Sequence, residues 1–511
     1  MYTNRKLIYS FGERLYRIFG LNPETVPGLW VILAGTVTVI AIFIFTDGNV
    51  LFAGAVVLSF ALVVLTFYRL EYSFMVLVGC VLLFDQYHIP GFNPYTYRLD
   101  YFLNIKEISF LPSFNAGVVN PIELHFLLIF FIWFLMISIR KQFHFKFIPV
   151  WGSLTLLSIW FLFSFVYGMR GGGDILIAMW EVRALFYLAI MYLTIPQIIQ
   201  DKRHLRIFLW IIIGTIAFKT FQGLARYASL GFTTAGLPTL TNHEDPVFMV
   251  TLLVLLLCFW LYQVKDSQKT ALLVMLLPLI LGFVIANRRA AMGALIVSVF
   301  ALIILLPRKQ QWTYFKYASP AFVILLIYGV TFWNIDHKIA APVQMVKSGI
   351  ERPDLENNPR DYYSNLYRDY ENYNLAYTTR SYPVIGIGFG KQFEHPLRLA
   401  QISYPLRDYI PHNQIFWIIV KCGSVGFFLF WFFFNSFAYR AIQIRSRIED
   451  PYLKSICTMV VIAIIAQMCV SYYDLQLTYY RNMIYLGTLM GLIPALGEID
   501  EKERIKTKDL R

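Results

Sequence analysis

Residues 147–168 read FIPVWGSLTLLSIWFLFSFVYG, a run of spanning length without a charged side chain. In helical form, about 20 consecutive apolar residues match the hydrocarbon thickness of a bilayer. An isolated strand would leave its backbone N–H and C=O groups unpaired in hydrocarbon, whereas a helix pairs them internally. The run therefore predicts a transmembrane helix and indicates the class of fold.

Similar runs recur along the 511-residue chain, which is 58% hydrophobic and only 15% charged, so the bilayer must be its solvent. The candidate spans are 28–46, 49–67, 73–87, 120–139, 147–168, 175–197, 205–223, 246–264, 270–286, 290–306, 317–334, 413–436, 455–473 and 479–496. We therefore predict an all-α, polytopic integral membrane bundle with about 14 transmembrane helices and one large extracytoplasmic loop.

The basic residues orient this bundle. With a cytoplasmic N-terminus, short Lys- and Arg-rich segments such as 140–146 and 308–316 lie inside, as the positive-inside rule requires. The net charge of +13 then belongs to the cytoplasmic face, and we predict no nucleic-acid partner. The predicted parts are an interfacial N-terminal helix (1–27, with its apolar face at 7–19), a bundle of about 11 spans (28–334), a large periplasmic or extracellular loop (335–411), three further spans (412–496) and a cytoplasmic tail (497–511). No cleavable signal peptide is expected.

The metal-binding residue types carry no pattern. Five cysteines fall in or beside apolar runs, and eight histidines are scattered without a paired-ligand spacing. A zinc hydrolase would show such a spacing, so this class is excluded and chemistry without a metal or other cofactor is predicted.

Two adjacent arginines, Arg288 and Arg289, occupy a short turn that the topology puts outside. Basic side chains at the hydrocarbon edge are costly unless they reach the interface or meet an anion. One interpretation is anchoring to lipid headgroups. The other is a phosphate clamp, because a guanidinium fork grips two phosphate oxygens at once.

A histidine, His412, lies where the long loop meets the next predicted span and is followed by Asn413. Its position at the water boundary suits an imidazole that acts as general base for a sugar hydroxyl, although a lone interfacial histidine also serves in packing. Asn413 either orients the histidine or caps the helix.

The middle of the loop carries tyrosines and arginines in a predicted helix that Pro383 would end. Arg368 and Arg380 lie in this helix. The following segment, Pro-Val-Ile-Gly386-Ile-Gly388-Phe-Gly390, has glycines at alternate positions that permit a tight turn. It is not a nucleotide-binding loop, since no strand and helix frame it.

The combined order of these features resembles the O-antigen ligase and O-antigen polymerase family, bacterial membrane proteins that ligate or polymerise polysaccharides. An arginine precedes a small residue at the outer end of a middle span; a loop arginine lies fifteen residues before Pro-x-x-Gly-x-Gly-x-Gly; and His-Asn leads into a span with Gly-x-x-Gly. The resemblance covers residues 245 to 440. It makes Arg289, Arg368 and His412 catalytic, and Arg288, Arg380, Asn413, Gly386 and Gly388 candidates for substrate binding. Arg288 stands where the family has Ser or Thr, and Asn372 where it has an aromatic residue, so Arg288 and Arg380 remain alternatives to Arg289 and Arg368.

The resemblance also implies the reaction. A glycan would move from an undecaprenyl pyrophosphate-linked donor to the hydroxyl of a glycan or glycolipid acceptor, by metal-independent inverting displacement at the outer face of the bacterial cytoplasmic membrane. Pyrophosphate is a competent leaving group that needs charge neutralisation, which arginines supply, while His412 takes the hydroxyl proton. Membrane lipids are the remaining partners. Two roles are open for the charged side chains near or within the predicted spans: contact with the donor or acceptor, or pairing between helices. These side chains are Lys219, Arg226, Glu181 and Arg183.

The sequence leaves three other functions open. A polysaccharide polymerase of the same family would use a second lipid-linked repeat unit as acceptor. A flippase or transporter of lipid-linked sugars would place ionisable residues and broken helices near the midplane, whereas the polar chemistry here concentrates in one loop. A structural partner of a polysaccharide assembly would need no catalytic residues at all.

Overall fold

Helices make up the regular structure of the part of the chain that the computed structural model describes, which contains no β-strand. The described residues are 35–38, 40–41, 44, 49–89, 92–98, 100–108, 119–140, 146, 148–233, 237, 239–335, 337–351, 355–356, 359–402 and 404–509. The interfacial helix predicted at 7–19 and most of the first predicted span lie outside them. The all-helical class predicted from the apolar runs is confirmed.

The helices follow one another along the chain as α1 (Val50–Tyr68), α2 (Leu70–Leu83), α3 (Tyr95–Arg98), α4 (Pro121–Arg140), α5 (Trp151–Arg170), α6 (Ile175–Ile198), α7 (Lys202–Ser229), α8 (Asp245–Leu261), α9 (Ser267–Val274), α10 (Leu276–Ile285), α11 (Arg289–Leu305), α12 (Arg308–Phe332), α13 (Ala341–Ile350), α14 (Pro359–Ser381), α15 (Gln414–Arg447), α16 (Pro451–Tyr473) and α17 (Tyr480–Asp509). Single 3-10 turns occupy Ile105–Glu107 and Lys338–Ala340.

Side-chain caps explain where several helices begin. The first N–H groups of a helix lack partners inside it, and a short polar side chain placed just before the helix accepts from them. Asp174 accepts from the N–H groups of Leu176 and Ile177 at 2.8 and 3.1 Å. Asp450 does the same at the start of α16. Apolar composition thus makes these segments helical, and the caps set their first residues.

Eight described helices are long and apolar enough to cross a membrane, and a bent pair raises this number to nine. Four more apolar helices are shorter, 10–17 residues each: Phe52–Tyr68, Leu70–Leu83, Asp245–Leu261 and Arg289–Leu305. The chain is a multi-pass membrane protein, but the predicted count of about 14 spans is not confirmed.

One predicted span differs from the structure in shape. The segment 270–286 is divided into α9 and α10, which meet at an angle of 49°. Pro278 lies in the first turn of α10, where its ring removes an N–H donor and crowds the carbonyl four residues earlier, that of Val274 at the end of α9. A proline kink thus replaces the straight span.

The described chain forms two compact units. One comprises the described residues up to 73 and those within 102–140, and the other comprises the described residues within 74–101 and 141–511. In the second unit, α17 packs along α6, and α16 packs against α8 and α11. Helices α16 and α17 are the most enclosed of the long helices. Helix α17 continues to Asp509, beyond the boundary predicted at residue 496.

Buried ion pairs join helices within this second unit. Lys219 of α7 lies 2.6 Å from the Asp85 carboxylate after α2, and Arg481 of α17 lies 2.8 Å from Asp245 of α8. A charge in an apolar interior requires such a partner. Of the two roles considered for Lys219, helix pairing is therefore the one the structure displays.

Between α12 and α15, the chain forms α13 and α14, and the described residues from 382 to 413 contain no further helix or strand. Helix α14 carries the predicted tyrosines and ends at Ser381, just before Pro383, as expected. Helix α14 packs against α15. This packing brings the loop arginines and the histidine into one region.

Candidate active site

The glycine-rich segment 386–390 fixes the loop to the helices, and we call it the 386–390 anchor. Helix α15 is interrupted at Gly423, which has φ +65°, and Gly388 has φ +82°. At this break, the N–H groups of Ile387 and Gly388 donate to the freed carbonyls of Val420 and Lys421 at 2.9 and 3.0 Å. In return, the N–H of Ser424 donates to the Pro383 carbonyl at 2.8 Å. The backbone groups that the kink frees are therefore satisfied by the loop.

Close approach is the second reason for these glycines. A Cβ on Gly388 would lie 2.4 Å from the Cα of Gly168 in α5, and a Cβ on Gly386 would lie 2.6 Å from the Val420 carbonyl oxygen. No side chain fits at these distances. Gly386 and Gly388, predicted as substrate-binding candidates, are buried in this packing and do not line the cavity described below.

A buried ion pair fastens the same anchor. Glu181 of α6 lies 2.7 Å from the Lys421 ammonium, and both side chains are fully buried. The other Glu181 oxygen accepts from the N–H of Gly390, and Trp417 donates its indole N–H to the carboxylate at 3.2 Å. Three donors thus satisfy one buried carboxylate, which stabilises its charge. Like Lys219, Glu181 has a pairing role.

His412 is held by a buried glutamate. Its Nδ1 lies 3.2 Å from Glu371 Oε1, and its backbone N–H donates to Glu371 Oε2 at 2.9 Å. Because a carboxylate accepts only, this contact places the ring hydrogen on Nδ1 and leaves Nε2 for substrate. Tyr367 packs edge-on against the imidazole, with ring centroids 5.6 Å apart. Position, tautomer and orientation of the imidazole are therefore defined.

A cavity of about 810 Å³ opens beside this histidine. Its walls are Tyr363, Ser364, Leu366, Tyr367, Arg368 and Tyr370 of α14, the segment Arg398–Ile402, and His412. The volume falls in the range of about 300–1,000 Å³ typical of ligand sites. Arg368 and His412, both predicted to be catalytic, thus line the same cavity, whereas Arg380, Arg288 and Arg289 are not among its lining residues.

Arg289 contacts α14 at residues that do not line the cavity. At the start of α11, its guanidinium donates to the Ser348 carbonyl at 3.3 Å and to Asn365 Oδ1 at 3.4 Å, and it lies 3.9 Å from Asp361. Burial lowers its pKa, Asp361 raises it, and the positive charge of Arg368 lowers it further. Arg368 follows Asn365 by three residues on the same face of α14, so Arg289 and Arg368 lie near each other.

Arg288 lies one residue earlier and belongs to the same positive region. Burial lowers its pKa, the Asp474 carboxylate opposes this shift, and Arg368 adds to it. Its Nε is buried and has no hydrogen-bond partner within the described residues. A buried donor without a partner is costly, so this guanidinium is suited to an anion.

Sequence reasoning missed the acidic and histidine partners of this region. Burial works to raise the pKa of Asp474, but His243, 3.4 Å away, and Arg288 outweigh it and hold that pKa well below its ordinary value. Glu371 was also missed. A signal existed for Glu371, which lies three residues after Arg368 and so shares a helix face with it. Asp474 directly follows α16 in the polar segment between two spans.

Asn413 caps α15. Its Oδ1 accepts from the N–H of Phe416 at 3.1 Å, and its Nδ2 donates to Asn372 at 3.1 Å. Of the two roles considered for it, capping is the one that its contacts display. The described residues include no group of three or more His, Cys, Asp or Glu side chains placed to hold a metal ion.

These features define a class: a multi-pass helical membrane protein with a cavity in which a carboxylate-held histidine lies beside tyrosine and arginine side chains. Residues 270–431, about a third of the chain, match the family model described as O-antigen ligase. The match supports membership of the O-antigen ligase family, confirms the resemblance found from the motifs, and supports a glycosyltransferase-like activity of the ligase or polymerase type in general. No curated protein matches the chain.

Proposed function

We propose that this protein is a metal-independent glycosyltransferase of the bacterial cytoplasmic membrane, which moves a glycan from undecaprenyl pyrophosphate to an acceptor sugar hydroxyl at the outer face. The observation that carries the proposal is the cavity that Arg368 and His412 share, with His412 held by Glu371. The match of residues 270–431 to the O-antigen ligase model supports it.

His412 would act as the general base. Its Nε2 removes the proton of the acceptor hydroxyl as the hydroxyl oxygen attacks the anomeric carbon of the donor. The bond from this carbon to the diphosphate oxygen breaks with its electron pair, and the anomeric centre inverts. The Glu371 carboxylate stabilises the imidazolium that forms, as a carboxylate does in a serine protease triad.

The arginines would neutralise the leaving group. Diphosphate gains negative charge as its bond to the sugar breaks, so positive groups fixed beside it stabilise the transition state more than the ground state. Arg289 contacts the face of α14 that carries Arg368, and Arg288 directly precedes Arg289. Three guanidinium groups in one region suit the two phosphates of the donor.

The experiment that tests this function uses the purified full chain in liposomes with a synthetic lipid diphosphate-linked glycan and a soluble glycan acceptor. We expect transfer to continue in the presence of EDTA and the product to have inverted anomeric configuration. Extension of a second lipid-linked glycan in place of the soluble acceptor would identify a polymerase. Movement of the donor across the bilayer without a new glycosidic bond would overturn the transferase proposal.

Arg368→Gln is expected to lower transfer by about 10²-fold, because a positive group that stabilises developing charge typically contributes about that much. The measurement is kcat in the liposome assay. Arg170→Gln is a control, since Arg170 is an exposed arginine at the end of α5, outside the cavity. A larger loss in Arg380→Gln than in Arg368→Gln would assign the role to Arg380 instead.

Glu371→Gln is expected to lower kcat by about 10-fold or more while KM changes little. The backbone N–H and the Nδ1–H of His412 each contact one oxygen of the Glu371 carboxylate. A glutamine side chain has only one acceptor oxygen, and it carries no charge to stabilise an imidazolium. The kcat and KM of the variant, together with its thermal unfolding, check this. A rise in KM at constant kcat would show that Glu371 serves substrate binding rather than the orientation of His412.

A further inference from the structure

The cavity extends beyond His412 along a wall to which the proposed mechanism gives no role. Tyr363, Tyr367 and Tyr370 follow one another at helical spacing on a single face of α14. Tyr363 and Tyr370 are 59% and 40% exposed, whereas Tyr367 is buried against the imidazole. The segment Arg398–Ile402, which begins with an exposed arginine, lines the same cavity.

This wall differs from the face of α14 that meets the other arginines. Asp361 and Asn365, four residues apart, contact Arg289. The tyrosines point in a different direction around the helix axis, because residues two apart do not face the same way. Arg289 therefore contacts a different face of α14 from the one that carries the tyrosines, while Arg368 and His412 line the same cavity as the tyrosines.

The backbone before Arg398 is fixed. Asn374, fully buried in α14, donates its Nδ2 to the Leu397 carbonyl at 2.7 Å, and its Oδ1 accepts from the Leu397 N–H at 2.9 Å. Two hydrogen bonds to one residue hold the segment against the helix. No described carboxylate pairs with Arg398, so its guanidinium is presented to the cavity on a fixed support.

We propose that this wall is the acceptor subsite and that it takes an anionic saccharide. Pyranose rings stack their C–H faces on Tyr363 and Tyr370, whose ring faces are electron-rich, and the Arg398 fork binds a carboxylate or phosphate substituent of the sugar. The inference rests on the proposed transferase function and adds to it the charge class of the acceptor.

The experiment measures binding alone. The purified full chain, without lipid donor, is titrated with a disaccharide ending in glucuronate and with the neutral disaccharide in which CH2OH replaces the carboxylate, and saturation-transfer NMR gives both affinities. We expect the glucuronate to bind about 10-fold more tightly, a ratio that one charge-assisted hydrogen-bonded pair supplies. Arg398→Gln should abolish this preference, and Arg170→Gln should leave it unchanged.

Two further measurements test whether the tyrosines stack on the sugar and whether Arg398 binds the acceptor or the donor diphosphate. Tyr370→Ala should weaken both disaccharides alike, because stacking does not depend on charge. Inorganic pyrophosphate is titrated into the same variants. If Arg398→Gln weakens pyrophosphate binding and leaves the glucuronate preference intact, Arg398 belongs to the donor site and the subsite is overturned.

Failure of this inference is distinguishable from failure of the proposed function. Arg398-dependent glucuronate binding in a protein that transfers no glycan would retain the subsite and overturn the transferase. Glycan transfer by a protein that binds both disaccharides equally would retain the transferase and overturn the anionic subsite.

Discussion

His412→Ala is expected to lower glycan transfer by about 10²-fold to 10⁴-fold, which is the usual contribution of a positioned general base. Without the imidazole, the proton of the acceptor hydroxyl has no acceptor at the point of attack, while the arginines still bind the diphosphate. The loss should therefore appear in kcat rather than in KM. Initial rates in the liposome assay at saturating donor and acceptor measure it.

His395→Ala is the matched control for this variant. His395 lies in the same segment, 3.6 Å from the Asp408 carboxylate, and does not line the cavity. Its removal should leave kcat near the wild-type value. Thermal unfolding of His395→Ala should be close to wild type, because His395 is not fully buried. His412→Ala should be destabilised by about 1–3 kcal/mol, because the buried Glu371 carboxylate loses the imidazole as a hydrogen-bond donor and keeps the backbone N–H of residue 412. A His412→Ala protein with nearly normal turnover would remove His412 from the mechanism.

Lys421→Met is expected to destabilise the protein by about 3–5 kcal/mol, the usual cost of removing one partner of a buried ion pair. The Glu181 carboxylate, fully buried and 2.7 Å from the Lys421 ammonium, would lose its counter-charge. Transfer should also fall, because the 386–390 anchor depends on the same carboxylate. Thermal unfolding in detergent and the liposome assay measure the two effects.

The double variant Glu181→Leu/Lys421→Met separates an unpaired charge from lost packing. Because it leaves no buried charge behind, it should be more stable than Lys421→Met alone. It should remain less stable than wild type, since the N–H groups of Gly390 and Trp417 lose their acceptor. The single variant Glu181→Leu completes the comparison. If the stability losses of Glu181→Leu and Lys421→Met simply add in the double variant, the Glu181–Lys421 contact contributes no coupling energy, and its proposed stabilising role is wrong.

Local sequence predicted the helices well where a segment's own residues control its conformation. The run 147–168 corresponds to α5 (Trp151–Arg170), and Pro383 follows directly on the end of α14. The bend between α9 and α10 was not predicted, although Pro278 is visible in the sequence. Apolar length alone does not reveal whether neighbouring helices will accommodate a kink.

The site was predicted in part. The motif order singled out Arg368 and His412, which line one cavity, and left Arg288 or Arg289 and Arg368 or Arg380 as open pairs. The glycine pattern predicted a tight turn, but its purpose required α15 to be broken at Gly423 and α5 to lie close by. A glycine in the sequence shows that an unusual backbone conformation is allowed, but not which neighbouring segment makes that conformation necessary.

Membership of the helical membrane class follows from the chain's own composition, because the transfer of each apolar side chain into lipid and the internal pairing of each backbone group are local terms that add along a segment. The arrangement of the site does not follow in this way. Glu371 and His412 are 41 positions apart, and Glu181 and Trp417 are 236 apart. Whether such side chains meet depends on how each helix is rotated and packed against its neighbours, and this is a property of the folded chain.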